Sequence, residues 1–113
     1  MADLTTTRIT AAAGLLDLAA AATAAAVGGD TAEVGPRRFL YVNNGGAGSV
    51  TVTVATPGTA GGFAIADGTY AVAAGKQGLI PLSNDFRGSN GRAAITYSAV
   101  TTVTVRPFEL PAA

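Results

Sequence analysis

The chain has 113 residues, enough for one domain and one hydrophobic core and too short for two ordinary globular units. Seven basic residues balance seven acidic ones, and the charged fraction of 12% is about half the usual share; with no basic run, the electrostatic footprint of a nucleic-acid binder is missing. Cysteine and histidine are both absent, which excludes thiol nucleophiles, thiolate or imidazole metal sites, and Ser-His-Asp arrangements.

The carboxylates Asp3, Asp17, Asp30, Glu33, Asp67, Asp85 and Glu109 lie singly along the chain. Without imidazole, the usual general base near neutral pH, this points to a protein that is not an enzyme and needs no metal or cofactor. Residues 1–10 are polar and threonine-rich, which suits an extended, flexible arm that reaches a neighbour in an assembly. Residues 11–27 are alanine-rich. Alanine's propensity favours a helix there, whereas Leu16 and Leu18 flanking Asp17 alternate as in an extended segment, and both readings stand. Asp17 inside the apolar run, and Asp3 set against Arg8 before it, do not fit a signal peptide; the run is also too short and too weakly apolar for a membrane span. Folding in the cytoplasm of the producing cell is therefore expected. Gly28-Gly29-Asp30 ends the segment and separates an N-terminal portion, residues 1–30, from a domain over residues 31–113.

From Arg37 onward the period is two. Phe39 and Tyr41 face one way and Leu40 and Val42 the other, as in a strand covered on both sides. After the turn cluster Asn43-Asn44-Gly45-Gly46-Ala47-Gly48, residues 49–54 alternate Ser/Thr with valine, and the two runs read as a β-hairpin. Thr56-Pro57-Gly58-Thr59 stops the second run, Gly61-Gly62 extends the loop, Phe63 and Ile65 alternate briefly, and Asp67-Gly68 turns the chain. Residues 69–72 form a short strand, 73–76 a loop, and 77–82 a strand that, because proline cannot donate to a ladder, lies at a sheet edge or closes at Pro81. In the polar loop 83–92, Phe86 is the only large apolar residue, either an anchor that packs the loop down or a contact to a neighbour. Residues 94–98 and 102–106 are the last strands, and the proline-flanked tail 107–111 is expected to lie extended on a surface. Six or seven short strands at intervals of about 8–12 residues give an all-β fold: a single small antiparallel β-sandwich or barrel, with an extended N-terminal arm and an Ala-rich N-terminal segment.

Few motifs point to a ligand. Gly45-Gly46-Ala47-Gly48 precedes a strand rather than a helix and no Gly-Lys-Ser/Thr occurs, so it is not a phosphate loop. Asn84, Asp85 and Asn90 lack the spacing of an EF-hand. Tyr41, Tyr70 and Tyr97 fall on predicted strands, where core or rim packing is expected ahead of a sugar-stacking platform. An apolar fraction of 49% with so few charges suggests that another subunit covers part of the surface.

Several stretches in order carry a likeness: Gly28-Gly29-Asp30-Thr31; residues 39–46, from Phe39-Leu40-Tyr41-Val42 to Gly45-Gly46; residues 50–59; Ile65-Ala66-Asp67; Val72-Ala73-Ala74-Gly75; and residues 95–105. Together they cover about two-thirds of the chain, and it resembles small virion β-sandwich proteins of tailed actinobacterial phages. The resemblance implies a capsid decoration (cement) protein on the virion surface that binds the major capsid protein as a homotrimer, with no nucleic acid or membrane partner. It carries over no catalytic residues, and the Ala-rich segment before Gly28 departs from the pattern. For a cement role, the arm over residues 2–10 is the expected reaching element, and Arg8, Arg37, Arg38, Phe86 and Arg87 are the candidate capsid or subunit contacts. A neck or tail component and a surface-displayed receptor- or carbohydrate-binding sandwich are the alternatives.

Overall fold

The computed structural model describes residues 2–18, 20, 22–88 and 90–111. In chain order the strands are β1 (Ala2–Asp3), β2 (Thr7–Arg8), β3 (Thr23–Ala24), β4 (Asp30–Glu33), β5 (Arg38–Asn44), β6 (Val50–Val54), β7 (Thr59–Ala60), β8 (Phe63–Ala64), β9 (Gly68–Val72), β10 (Gln77–Pro81), β11 (Arg92–Tyr97) and β12 (Val103–Glu109). One sheet has the order β1-β4-β11-β6-β9. The other has the order β10-β5-β12-β2, with β3 also paired to β12. The β7–β8 hairpin stands apart from both. Valine-rich strands form here because each has one face to bury, and the solution is two sheets packed face to face. Leu40, Val42, Ile80, Val103 and Val105 from one sheet meet Val50, Val52, Val54, Val72, Ala93 and Ile95 from the other in a single buried cluster. The expected all-β sandwich is the observed fold.

The expected hairpin over residues 37–54 does not form. β5 pairs with β10 and β12, whereas β6 lies in the opposite sheet between β11 and β9. Residues 45–49 therefore cross from one layer to the other. A hairpin would have put Leu40 and Val42 beside the valines of β6 in one sheet; the crossover sets the two apolar faces against each other, which buries both. Asn44 holds the crossing. Its buried side-chain amide donates to Gly48 O at 2.8 Å and to Val72 O at 3.0 Å, and its Oδ1 accepts from Gly46 N at 3.1 Å. One polar side chain thus ties the end of β5 to β9 in the other layer and leaves no amide group unpaired.

The two-sided burial expected for β5 is present. Behind the main core, Phe39 and Tyr41 pack on Phe108, with ring centroids 5.8 and 6.2 Å apart. The tail is a further correction, because residues 107–109 are not a surface extension but the end of β12, with Pro107 and Phe108 buried. The ladder explains how a proline is tolerated there. The carbonyls of Val103, Val105 and Glu109 accept from Ala25 N, Thr23 Oγ1 and Ile9 N, so odd-numbered residues of β12 turn their polar backbone towards β2 and β3. Pro107 is in that phase, and β2 and β3 leave a gap opposite residues 106–107, so its missing N–H costs no bond to β5.

The N-terminal segment is extended, as expected, but it lies along its own sandwich instead of reaching outward. β1 adds to β4 in parallel, β2 adds to β12 in parallel, and β3 returns antiparallel on β12 before the chain enters β4. Leu4 is buried in the core cluster. The alanine-rich stretch contains no α-helix among the described residues. A turn at residues 11–13 is closed by Gly14 N on Thr10 O at 2.7 Å, and β3 follows at Thr23–Ala24. Helix propensity is overruled because a helix over 11–27 would leave the outer edge of β12 without β3.

Candidate interaction surface

On one long side of the sandwich, the short N-terminal strands cover β4 and β12, and side chains fix them there. Arg92 Nη2 donates to Leu4 O at 2.7 Å and to Thr31 O at 3.1 Å, its Nε donates to Thr31 Oγ1 at 3.0 Å, and Thr31 Oγ1 in turn donates to Asp3. At the entrance to β4, Gly29 has φ +100°, and a Cβ there would lie 2.4 Å from Ile95 O. Next to it, fully buried Asp30 accepts from Tyr97 OH at 2.8 Å and Ala26 N at 3.2 Å. Burial, and then the hydrogen bond to Asp30, push the Tyr97 phenol well above its ordinary range.

The candidate contacts fall into two groups. Arg8, Glu109 and Arg38 are direct neighbours across β2, β12 and β5. Glu109 bridges the two arginines, at 3.2 Å from Arg8 Nε and 3.4 Å from Arg38 Nη2, and Arg38 Nη1 donates to Val34 O at 2.7 Å. Arg38 therefore closes one end of the sandwich, while the Arg8 side chain stays 73% exposed. Arg37 adjoins them in an uncommon left-handed conformation (φ 64°), with its carbonyl accepting from Leu110 N at 2.8 Å and its side chain exposed. Phe86 and Arg87 belong to the other group. Phe86 is in the core cluster, the anchor of its loop, and its ring rests against Gly68. Beside it, a groove of about 530 Å³ opens between residues 56–58, 65–68 and 84–87, with Asn84, Asp85 and Arg87 among its lining.

The other long side ends in β9 and β10, and among the described residues no further strand pairs with either. Thr51 O accepts from Ser98 N and Ala55 N donates to Ala94 O, so odd residues of β6 serve β11 and even residues serve β9. It follows that Gly68, Tyr70 and Val72 bond to β6, and that Thr69 and Ala71 point N–H and C=O outward. In β10, Asn44 N on Lys76 O and Leu82 N on Arg38 O show the same alternation, so Gln77, Leu79 and Pro81 face outward. Pro81 marks an edge, as its residue type predicted, and has no N–H to offer there.

Sequence reasoning did not single out the apolar side chains that are left exposed. Phe63 is 78% exposed and Leu79 61%, with Ile65 also exposed. Their alternation looked like that of any half-buried strand, and nothing in it tells which face lacks a covering layer. Tyr70 and Tyr97 pack against the core and Tyr41 is buried, donating to Gln77 Oε1 at 2.7 Å, in line with the packing role expected of them. Among the described residues there is no cluster of three or more acidic, histidine or cysteine side chains, and no helix long and apolar enough to cross a membrane. No family model, curated protein or solved structure matches this chain.

Proposed function

We propose that this chain is a structural virion protein, a capsid decoration protein that binds the outer surface of a tailed-phage shell through contacts with the major capsid protein. The observation that carries the proposal is the apolar surface outside the core: Phe63, Leu79, Leu16 and Val27 are all more than half exposed on a protein with few charges. Exposed apolar side chains on several segments, with little charge between them, suit a protein whose surface is buried against other subunits. The resemblance to actinobacterial phage virion proteins supports the same reading. In this role the sandwich is the rigid body, and shell stabilisation comes from burial across capsid junctions.

Cosedimentation of the purified protein with intact capsids, but not with isolated tails, is the expected result. Binding to tails alone would replace this role with that of a neck or tail component. The groove beside Phe86 favours one other reading, a glycan- or receptor-binding sandwich, because polar Asn84, Asp85 and Arg87 line it together with apolar Ile65. Binding of soluble glycans without any association with capsids would establish that reading instead.

A further inference from the structure

We infer that β9 is a self-association edge, through which two copies of this chain pair antiparallel about a two-fold axis at Tyr70. Among the described residues, only Thr69 and Ala71 present unused ladder groups on this edge, one N–H and one C=O each. Setting Thr69 opposite Ala71 of a second copy, and Ala71 opposite its Thr69, is the register that satisfies all four pairs of groups together. In that register Tyr70 meets Tyr70 of the second copy as a non-hydrogen-bonded pair, and the exposure pattern of the strand matches across the axis, with Thr69 and Ala71 on the solvent face of both copies.

The occupant follows from charge. β9 carries no charged residue, and the chain has no net charge to oppose its own association. Exposed Asp67 precedes the strand and exposed Lys76 follows it. In this register Asp67 stands opposite Ala73 of the second copy, whose carbonyl accepts from Lys76 N at 3.0 Å, so the acidic end of one strand approaches the basic turn of the other at both ends of the interface. The neighbouring edge, β10, is blunted by Pro81, so β9 is the open template of the two. The association is two-fold, in place of the three-fold state that the family resemblance implies, and it does not depend on the capsid reading.

The test is light scattering on the full chain over rising concentration, together with residue-resolved amide exchange. The expected result is a monomer–dimer equilibrium in which the Thr69 and Ala71 amides become protected as dimer accumulates. The Tyr70 amide, already bonded to β6, should change little. Ala71→Pro removes only an outward-facing N–H, so it should abolish the dimer and leave the thermal midpoint nearly unchanged. Lys76→Glu, at an exposed site, should weaken the dimer several-fold without touching the ladder, and covers the case in which the proline variant fails to fold. A monomer at every concentration, a trimer, or a dimer that keeps its affinity in both variants would overturn the inference. A monomer that still cosediments with capsids would do so while leaving the capsid reading intact.

Discussion

The two long sides of the sandwich face the same problem and meet it differently. On one side β4 and β12 would be edge strands, but β1, β2 and β3 lie against them; on the other, β9 and β10 end their sheets uncovered. The covering strands are only two residues long each. Ordering a residue costs about 1–2 kcal/mol of backbone entropy, and a net hydrogen bond returns about 0.5–1.5 kcal/mol, so such short pairings do not hold by themselves. Burial of Leu4, worth about 1.5–3 kcal/mol, and the Arg92 bonds decide the matter on the closed side. The lesson is that strand length says little about whether an edge is sealed. What counts is whether side chains anchor the covering segment, and the open side has no equivalent of Leu4 among the described residues.

The largest effect expected is from Gly29→Ala. Its new Cβ would meet the backbone carbonyl of Ile95 at a distance no relaxation of a side chain relieves, in a left-handed conformation. A loss of about 3 kcal/mol or more is expected in urea unfolding, with the closed side exposed before global unfolding. Next comes Leu4→Ala, with a loss of about 2–3 kcal/mol. Amide exchange should rise around Thr31 and residues 108–109 and stay unchanged in β9; uniform change along the chain would show that the two sides are not independent. Truncation of residues 1–10 acts on the same anchor. Leu4 belongs to the core, so the truncated protein should lose stability, and weaker capsid binding would then not by itself identify the arm as a capsid contact.

Tyr97→Phe removes the donor to Asp30 and should cost about 1–2 kcal/mol at neutral pH. The folded Tyr97 phenol holds its proton more tightly than the unfolded one, whose ordinary value is 10.0. Its contribution is therefore complete below about pH 10 and is lost as pH rises beyond it. Urea midpoints measured from about pH 8 to about pH 11 should fall more steeply for the native protein than for Tyr97→Phe. The smallest effect belongs to Arg8→Ala. With that side chain 73% exposed, the pair with Glu109 should contribute under about 0.5 kcal/mol, and less at high salt. A larger loss would mean that the arginine row, and not Leu4, seals the closed side.

Much of the fold was legible because strands announce themselves locally. Alternating valine and threonine in residues 50–54, the end of that strand before Pro57-Gly58, the turn glycines Gly61-Gly62, and the edge position of Pro81 all rest on neighbouring residues, and the structure bears them out. Partner choice was not legible. The same alternation in residues 38–44 and 50–54 fits a hairpin or a crossover between layers, and only the burial of both apolar faces distinguishes them. The candidate contacts divide on the same ground. Phe86 stood out by its isolation in a polar loop, as an anchor or a contact, and its burial decides for the anchor, whereas nothing near Arg8 and Arg38 in the sequence pointed to Glu109, which lies 101 residues from Arg8.

By itself, the sequence determined that the chain would be a single β-rich domain with little charge and neither thiol nor imidazole chemistry, because composition and two-residue periodicity are properties of each segment alone. Only the tertiary structure decided which edges are closed. Alanine-rich residues that prefer a helix became part of a β edge, and a proline-flanked tail became the end of an interior strand, because β12 needed partners on both sides. Residues 68–72 remained an open edge because no segment anchored by a buried side chain lies alongside them among the described residues.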